Sequence, residues 1–459
     1  MPAYYVQTFG CRASQADGAA LEAALGAGGF GPAGRAAAAD VVVLNTCTVT
    51  AAADQDARQT IRRIHRENPG ARIVVTGCYA QRAPQEIAAI PGVSCVVGNS
   101  HKGRLVEEAL AFHGQILVGD IREQRDFEWS PASHSLHDRT RPNLKIQDGC
   151  NNRCSFCVIP SVRGSSRSAP ADLVVAQVRA LAARYAEIVL TGINLGQWGR
   201  DLPNRPRLAA LLRRLLDETP VARLRISSVE PMDWTAELLA FLADEPRMAR
   251  HVHAPLQSGS DTILRRMHRR YRARDYEARI LAARRLLPEA AIGADVLAGF
   301  PGETDADFDE TRRLVAELPF TYLHVFSYSA RPGTAAAARR DQVPPPVRRE
   351  RNRLLRELAA AKNLAFRRSL LGRPLSAVTL DEAHPSGTVA LTDNYLKVLI
   401  PGAPLAPNQI VDRTAAAIHG DFLVAAPTAS APAPCCGEAA RTPPGWLGSC
   451  AGCPPPPAA

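Results

Sequence analysis

The 459-residue sequence has no uninterrupted apolar run near the roughly 18 residues that a bilayer span requires. Its opening, MPAYYVQTFG, carries no basic region leading into an apolar core, so a secretory leader is not expected either. Both absences point to the cytoplasm and to no membrane partner. No repeat with a solenoid period is present, which sets aside stacked-repeat architectures. Lysine contributes little to the basic balance: the net charge of +10 comes mostly from arginine. Such a surface suits a polyanion such as RNA, because phosphate neutralisation releases counterions, although an Ala- and Arg-rich bias along the whole chain produces the same balance. Eleven cysteines in a reducing compartment read as metal ligands, catalytic groups or buried apolar residues rather than disulfides.

What is present is an ordinary globular composition, 46% hydrophobic and 22% charged, on a chain long enough for two or three domains. Up to residue 110, short apolar runs (AYYVQTF, DVVVLNT, ARIVVTG, VSCVVG) alternate with helical patterns. Strands spaced by helix-length segments need crossovers and imply an open parallel sheet. Residues 111–140 gather charges and aromatics around REQRDFEWSPASHS and read as a linker. Over 141–344 the alternation resumes with NLKIQD, EIVLTG, RLRISSV, HVHAPLQ, IGADVLAG and TYLHVFSYS. Helices are expected to start at the caps Ser260 and Thr304. Six βα units are too few for an eightfold barrel and suit an open partial (β/α)6 barrel with its working ends at one rim. Residues 345–371 read as one basic helix, and 372–426 as a small antiparallel β barrel. Residues 427–459, rich in Pro and Ala, read as a disordered tail. The fold class is therefore α/β with three folded parts.

The stretch DGCNNRCSFCVIP places Cys150, Cys154 and Cys157 directly after the first strand of the partial barrel, with Gly149 allowing a sharp turn. Three soft thiolates in so short a loop suit a zinc ion or three irons of a four-iron cluster. Zinc wants a fourth ligand, and none is nearby. A cluster with three cysteines keeps one iron open to a small molecule. Cys11, Cys47 and Cys78 form a second set of three, each at the carboxyl end of a predicted parallel strand, where ligands of open α/β sheets gather. Cys95 lies mid-strand and reads as core. Cys435, Cys436, Cys450 and Cys453 sit in the low-complexity tail, where loose thiols outweigh a metal knuckle.

The CxxxCxxC spacing after the first barrel strand resembles the radical S-adenosylmethionine (SAM) superfamily. With both cysteine sets, residues 3 to 425 resemble its methylthiotransferase family, whose last domain is a TRAM-type barrel. EIVLTGINLGQWGRDL, RISSVEPMD, HAPLQSGSDTILRRMHRRY, FPGETDADF and LTDNYLKV resemble the branch acting on threonylcarbamoyladenosine of tRNA. The isopentenyladenosine and ribosomal-protein aspartate branches are the alternatives, and an RNA-binding protein with structural metal sites is the rival from another class. Ser14 departs from the Asn of the family pattern.

The resemblance implies two [4Fe-4S] clusters, one on each set of three cysteines, and two SAM molecules per turnover. One SAM would supply the methyl group for a sulfur on the Cys11, Cys47, Cys78 cluster; the other would give a 5′-deoxyadenosyl radical at the Cys150, Cys154, Cys157 cluster. The radical would take hydrogen from carbon 2 of the modified adenine at position 37, next to the anticodon, where the methylthio group is then placed. Radical chemistry is needed because that carbon has no acidic proton. Implied partners are the tRNA anticodon stem-loop, an electron donor such as flavodoxin or ferredoxin, and a sulfur donor. SAM contacts are expected from Phe156 in the cluster loop and from the strand ends Gly192, Asn194, Ser228, Glu230, Gln257 and Ser258. For Glu230 a helix N-terminal acid, and for Phe156 a loop anchor, are the plainer readings. Arg163 and Arg167 are expected to meet phosphate or a substrate carboxylate, or else to be solvated. The arginines of RRMHRRYRAR and of the basic helix are expected on the tRNA backbone or as a soluble surface.

Overall fold

The structure is a computed structural model and describes residues 1–107, 115–127 and 140–426. In the N-terminal part, four parallel strands, Ala3–Thr8, Val41–Thr46, Arg72–Gly77 and Val93–Val97, lie side by side in sequence order. Val41–Thr46 is buried at every position because helices cover both faces of the sheet. On one face Ile61 and Ile64 of helix Ala51–Glu67 pack against Val42, Leu44, Ile73 and Val75. On the other, Leu21 and Leu25 of helix Arg12–Ala27 pack against Val41, Val43 and Val74. Cys95 lies in that second core as expected. Two short edge strands were not legible: Gly31–Pro32, and Gln115–Leu117, which pairs with Val93–Val97 inside the stretch read as a linker. Neither has enough residues to show a period of two.

The six barrel strands are Asn143–Asp148, Glu187–Gly192, Arg223–Ile226, His251–His253, Ala291–Ala298 and Tyr322–Ser327. They run parallel around an open arc; the third and fourth are joined through a bridge between Leu224 and Met248. In the fifth strand Ile292, Ala294, Val296 and Ala298 belong to the main core, whereas Asp295, on the other face, is partly exposed. The inside of the arc is therefore the polar face. Thr304 caps helix Asp305–Glu317 as expected, in a reciprocal box with Asp307. Ser260 precedes helix Asp261–Arg266 but its hydroxyl donates to Asp307 Oδ1 at 2.6 Å, so it ties two helices together instead of capping its own.

The basic helix is Pro345–Ser369. Two of its arginines are buried supports rather than surface charges: Arg351 bonds Glu303 at 2.7 Å and Arg367 donates to Gly420 O at 2.5 Å. The last part is a closed five-stranded barrel, Pro374–Thr379, Gly387–Thr392, Lys397–Pro401, Ile410–His419 and Phe422–Ala425. Ile410–His419, which closes it against Pro374–Thr379, was missed in the sequence because its alternation is carried by alanines rather than large apolar residues. The Thr392–Tyr395 turn of this barrel plugs the base of the central one. Arg225 donates to Thr392 O at 3.0 Å and Asp393 O at 2.9 Å, Tyr395 stacks on His251, and Arg12 of the first part donates to the Tyr395 hydroxyl at 2.7 Å. The motif LTDNYLKV thus joins three parts of the chain. No described helix is long and apolar enough to cross a membrane. The tail reading and its four cysteines lie outside the described residues.

Candidate metal centres

Gly149 has φ of +69°, and a Cβ there would stand 2.0 Å from Ser165 O, so both conformation and space demand glycine. The turn delivers Cys150, Cys154 and Cys157 to the wall of one cavity of about 580 Å³, which Asn151, Arg153, Ser165, Gly333 and Thr334 also line. Donors converge on the sulfurs. Cys150 Sγ accepts from Asn152 N at 3.4 Å and Asn194 Nδ2 at 3.7 Å; Cys154 Sγ accepts from Arg269 Nη1 at 3.4 Å. Burial pushes the Cys157 thiol up to about 12 and raises that of Cys150, so these groups ionise when a cation takes the charge.

The second set assembles as well. Cys11 precedes helix Arg12–Ala27, Cys47 lies three residues before the cap of helix Ala51–Glu67, and Cys78 opens helix Cys78–Arg82. A Cβ on Gly10 would stand 2.9 Å from Cys47 Sγ, so the backbone of Cys11's neighbour lies against that thiol. The Cys47 thiol is pushed up to about 12, by burial first and then by the charges of Cys78 and Cys11. Cys78 packs on Val158 and Val162, which follow the first cysteine loop, and its sulfur accepts from Arg163 Nε at 3.2 Å and Asn99 Nδ2 at 3.6 Å.

Arg163 corrects the reading of its motif. It is 2% exposed and reaches neither solvent nor phosphate. Its guanidinium bonds Asp148 at 2.9 Å, Asp17 at 2.9 Å and Ser14 Oγ at 3.3 Å besides Cys78. Arg167 is also buried, donating to Ser165 O at 3.3 Å. Lys145 and Lys102 complete the network on Asp17. Ser14, the departure from the family pattern, therefore sits between Arg163 and Cys11, 3.6 Å from that sulfur. Arg269 corrects its stretch in the same way: instead of facing solvent it holds Glu230 through both nitrogens, at 3.1 and 2.5 Å, beside Cys154. No sequence signal separated it from the arginines around it.

Of the expected strand-end residues, Asn194 and Glu230 are brought to the cysteine loop. Asn194 is 4% exposed, takes Gln147 Oε1 on its backbone N–H at 2.8 Å, and keeps Oδ1 buried without a hydrogen-bond partner in the structure. Glu230 lines a small cavity with Cys154, Gln197 and Arg269. Gly192 packs on Gln147, where a Cβ would stand 2.8 Å from Oε1. Gln257 holds φ of +66°, donates to Asp295 O and accepts from Leu297 N, which bends the rim after the fourth strand. Ser228 is half-buried beside Ser227, whose hydroxyl is buried without a partner in the structure. Ser258 is wholly buried, its hydroxyl 3.2 Å from that of Thr311, so it supports the rim from behind. Phe156 packs with Ile263, Met267, Leu297, Phe300 and Tyr328, which is the loop-anchor arrangement.

The donor sets fit iron-sulfur clusters better than single ions. Tetrahedral zinc thiolates stand about 3.8 Å apart. Among the described residues, the only group of three His, Cys, Asp or Glu side chains with all ligand atoms within 4.8 Å is His253, Asp295 and His324, so neither cysteine set closes around one ion. Asn194 Oδ1, beside Cys150, is a buried acceptor with no hydrogen-bond partner in the structure.

Comparison with known proteins adds to this geometry. Residues 3–98 match a family described as uncharacterized protein family UPF0004, and residues 144–315 match the radical SAM superfamily. The chain is 41% identical to the threonylcarbamoyladenosine tRNA methylthiotransferase MtaB of Bacillus subtilis, over 79% of this chain and 82% of that protein. It is 38% identical to the MtaB of Aquifex aeolicus, over 85% and 95%. It is also 37% identical to the tRNA-2-methylthio-N(6)-dimethylallyladenosine synthase of Syntrophobacter fumaroxidans, over 79% and 82%. Among solved structures, a radical SAM methyltransferase from Kitasatospora setae, solved with cobalamin and a [4Fe-4S] cluster, superposes with a TM-score of 0.55 at 18% identity, over 73% of this chain and 76% of that one.

Proposed function

The chain belongs to the radical SAM tRNA methylthiotransferase family, and from that premise we propose that it places a methylthio group on carbon 2 of N6-threonylcarbamoyladenosine at position 37 of tRNA. The observation that carries the reading is the pair of three-cysteine sets packed against each other through Cys78, Val158, Val162 and Arg163. Cys150, Cys154 and Cys157 would hold one [4Fe-4S] cluster, Cys11, Cys47 and Cys78 the other, and SAM would bind the first. Bound together, these groups supply one-electron reduction, a carbon-centred radical, sulfur and a methyl group.

The chain's own residues do the rest. Asn152, Asn194 and Arg269 donate toward the sulfurs of the first set, which stabilises thiolate charge. Arg163 and Asn99 do so for Cys78. Gly192, Asn194, Ser228, Glu230, Gln257 and Ser258 form or support the rim that receives SAM, with Phe156 anchoring the loop between its cysteines. The arginines still exposed on the surface suit a tRNA backbone, the anticodon stem-loop being the target, and the clusters require an electron donor and a sulfur donor as partners. Threonylcarbamoyladenosine is favoured over isopentenyladenosine by the names of similar relatives, five of which carry the first substrate against three that carry dimethylallyladenosine.

The test is mass spectrometry of tRNA nucleosides from cells with and without the gene. Loss of 2-methylthio-threonylcarbamoyladenosine with its unthiolated precursor accumulating is the expected result. Loss of the isopentenyl equivalent instead moves the substrate, and no change in either nucleoside overturns the reading.

A further inference from the structure

The inward face of the last three barrel strands carries a cluster that the cysteine sites do not use. His253 Nε2 and His324 Nδ1 both meet one oxygen of Asp295, Oδ1, at 3.2 and 3.1 Å. Behind them the Tyr322 hydroxyl lies 2.8 Å from His253 Nδ1 and 2.7 Å from His251 Nε2. Tyr322 in turn sits where Gly293 leaves room, since a Cβ there would stand 2.0 Å from the ring. The group is therefore held from below, down to the Tyr395 plug.

Above, it is open. Side-chain exposure rises from 6% at His253 through 25% at Asp295 to 50% at His324, and Phe326, next on the same face, is 43% exposed. Leu297, two residues beyond Asp295 on that face, packs in one cluster with Phe156 of the cysteine loop. Two residues of strand span about 7 Å, so the His-Asp-His group forms a floor roughly that far beneath the loop. A half-exposed aromatic edge beside a polar group suits a base turned out of its stack, read by stacking and by hydrogen bonds to its edge.

We infer that His253, Asp295 and His324 form the pocket that reads the N6 substituent of the target adenosine, and that the substituent class it takes is a hydroxy-amino-acid carboxylate on a urea. This rests on the substrate proposed above. Asp295 has spent Oδ1 on both histidines and keeps Oδ2 as an acceptor for a hydroxyl or urea N–H. His324 spends its Nδ1–H on Asp295, so its Nε2 accepts from a hydroxyl or urea N–H on the neutral ring and donates to a carboxylate only when the ring carries both protons. An alkenyl substituent has no partner for either atom and would leave both desolvated and unpaired, the arrangement by which a polar pocket rejects an apolar analogue.

The test uses the full chain with its clusters reconstituted and two forms of one tRNA, one carrying threonylcarbamoyladenosine at position 37 and one carrying plain adenosine, with affinity measured by anaerobic fluorescence titration. Wild type is expected to prefer the modified form by about 10- to 100-fold, the range of one or two charge-assisted hydrogen bonds. His324→Ala and Asp295→Asn are expected to lose most of that preference through the modified form alone, and His324→Gln to recover part of it. Iron content and melting temperature equal to wild type show that a variant is folded; half-exposed His324 is the safer of the two sites. Full preference retained in both variants, or equal weakening on both tRNAs, overturns the inference. A preference that appears only with added Zn²⁺ overturns direct bonding in favour of a cation on the same three residues. Wild type that methylthiolates isopentenyladenosine tRNA and not the threonylcarbamoyl form overturns the substrate reading, a result separate from the variants' behaviour.

Discussion

Replacing Arg163 by Gln removes the cation that joins the two cysteine sets. Arg163, Lys145 and Lys102 supply three positive charges to the two carboxylates of Asp17 and Asp148. The surplus charge faces Cys78, whose sulfur accepts from Arg163 Nε at 3.2 Å. Removing one partner of a buried pair costs about 3–5 kcal/mol, because the remaining charge stays desolvated. Asp17 and Asp148 both keep lysine partners in the variant, so the lower end, about 3 kcal/mol, is expected. The assay is urea unfolding of the reduced, cluster-free chain at pH 7 and pH 4. Both carboxyls are held below their ordinary range in the folded state, by Lys102 and Lys145 for Asp17 and by Arg163 and Lys145 for Asp148, against the opposing push of burial. Groups depressed on folding contribute stability above the unfolded value near 3.9 and lose it as pH falls toward the folded value. The unfolded-state protonation is common to both proteins, so the gap between wild type and Arg163→Gln is full at pH 7 and closes only as pH falls through the folded-state value of the carboxyls in the variant, which loss of the guanidinium raises. Arg163→Lys keeps the charge but not the fork, and should recover only part of the loss. A gap below about 1 kcal/mol at pH 7, or one that widens on acidification, refutes the reasoning.

Two further outcomes concern the centres themselves. With one four-iron cluster on each set, as proposed, changing Cys150, Cys154 and Cys157 together to Ala should remove about half of the bound iron, and changing Cys11, Cys47 and Cys78 should remove the other half; iron and sulfide analysis would show instead one complete loss if the sets formed a single centre. Gly149→Ala should destabilise by more than about 2 kcal/mol, combining left-handed strain with a clash on backbone at Ser165. Gly333→Ala, also at positive φ but with open space around it, should cost only about 1 kcal/mol, and equal melting shifts for the two would show that strain alone decides.

The linear sequence carried the order of elements, the α/β class and both cysteine sets. Each depends on local signals: apolar runs of strand length, turn residues, and thiols placed at strand ends. The strands it missed, Gly31–Pro32, Gln115–Leu117, Arg167–Ser168 and Ile410–His419, are those too short or too alanine-rich to show a period. Charge was the signal it could not resolve. Arg163, Arg269 and Arg351 look like every other arginine in an arginine-rich chain, yet each is buried on a carboxylate that is remote in sequence or beyond a turn. Only the tertiary structure decides which arginines meet solvent, because a guanidinium is stable in either place provided its partners come with it. The same holds for His253, Asp295 and His324: three strands contribute one residue each, and their common oxygen exists only once those strands lie side by side.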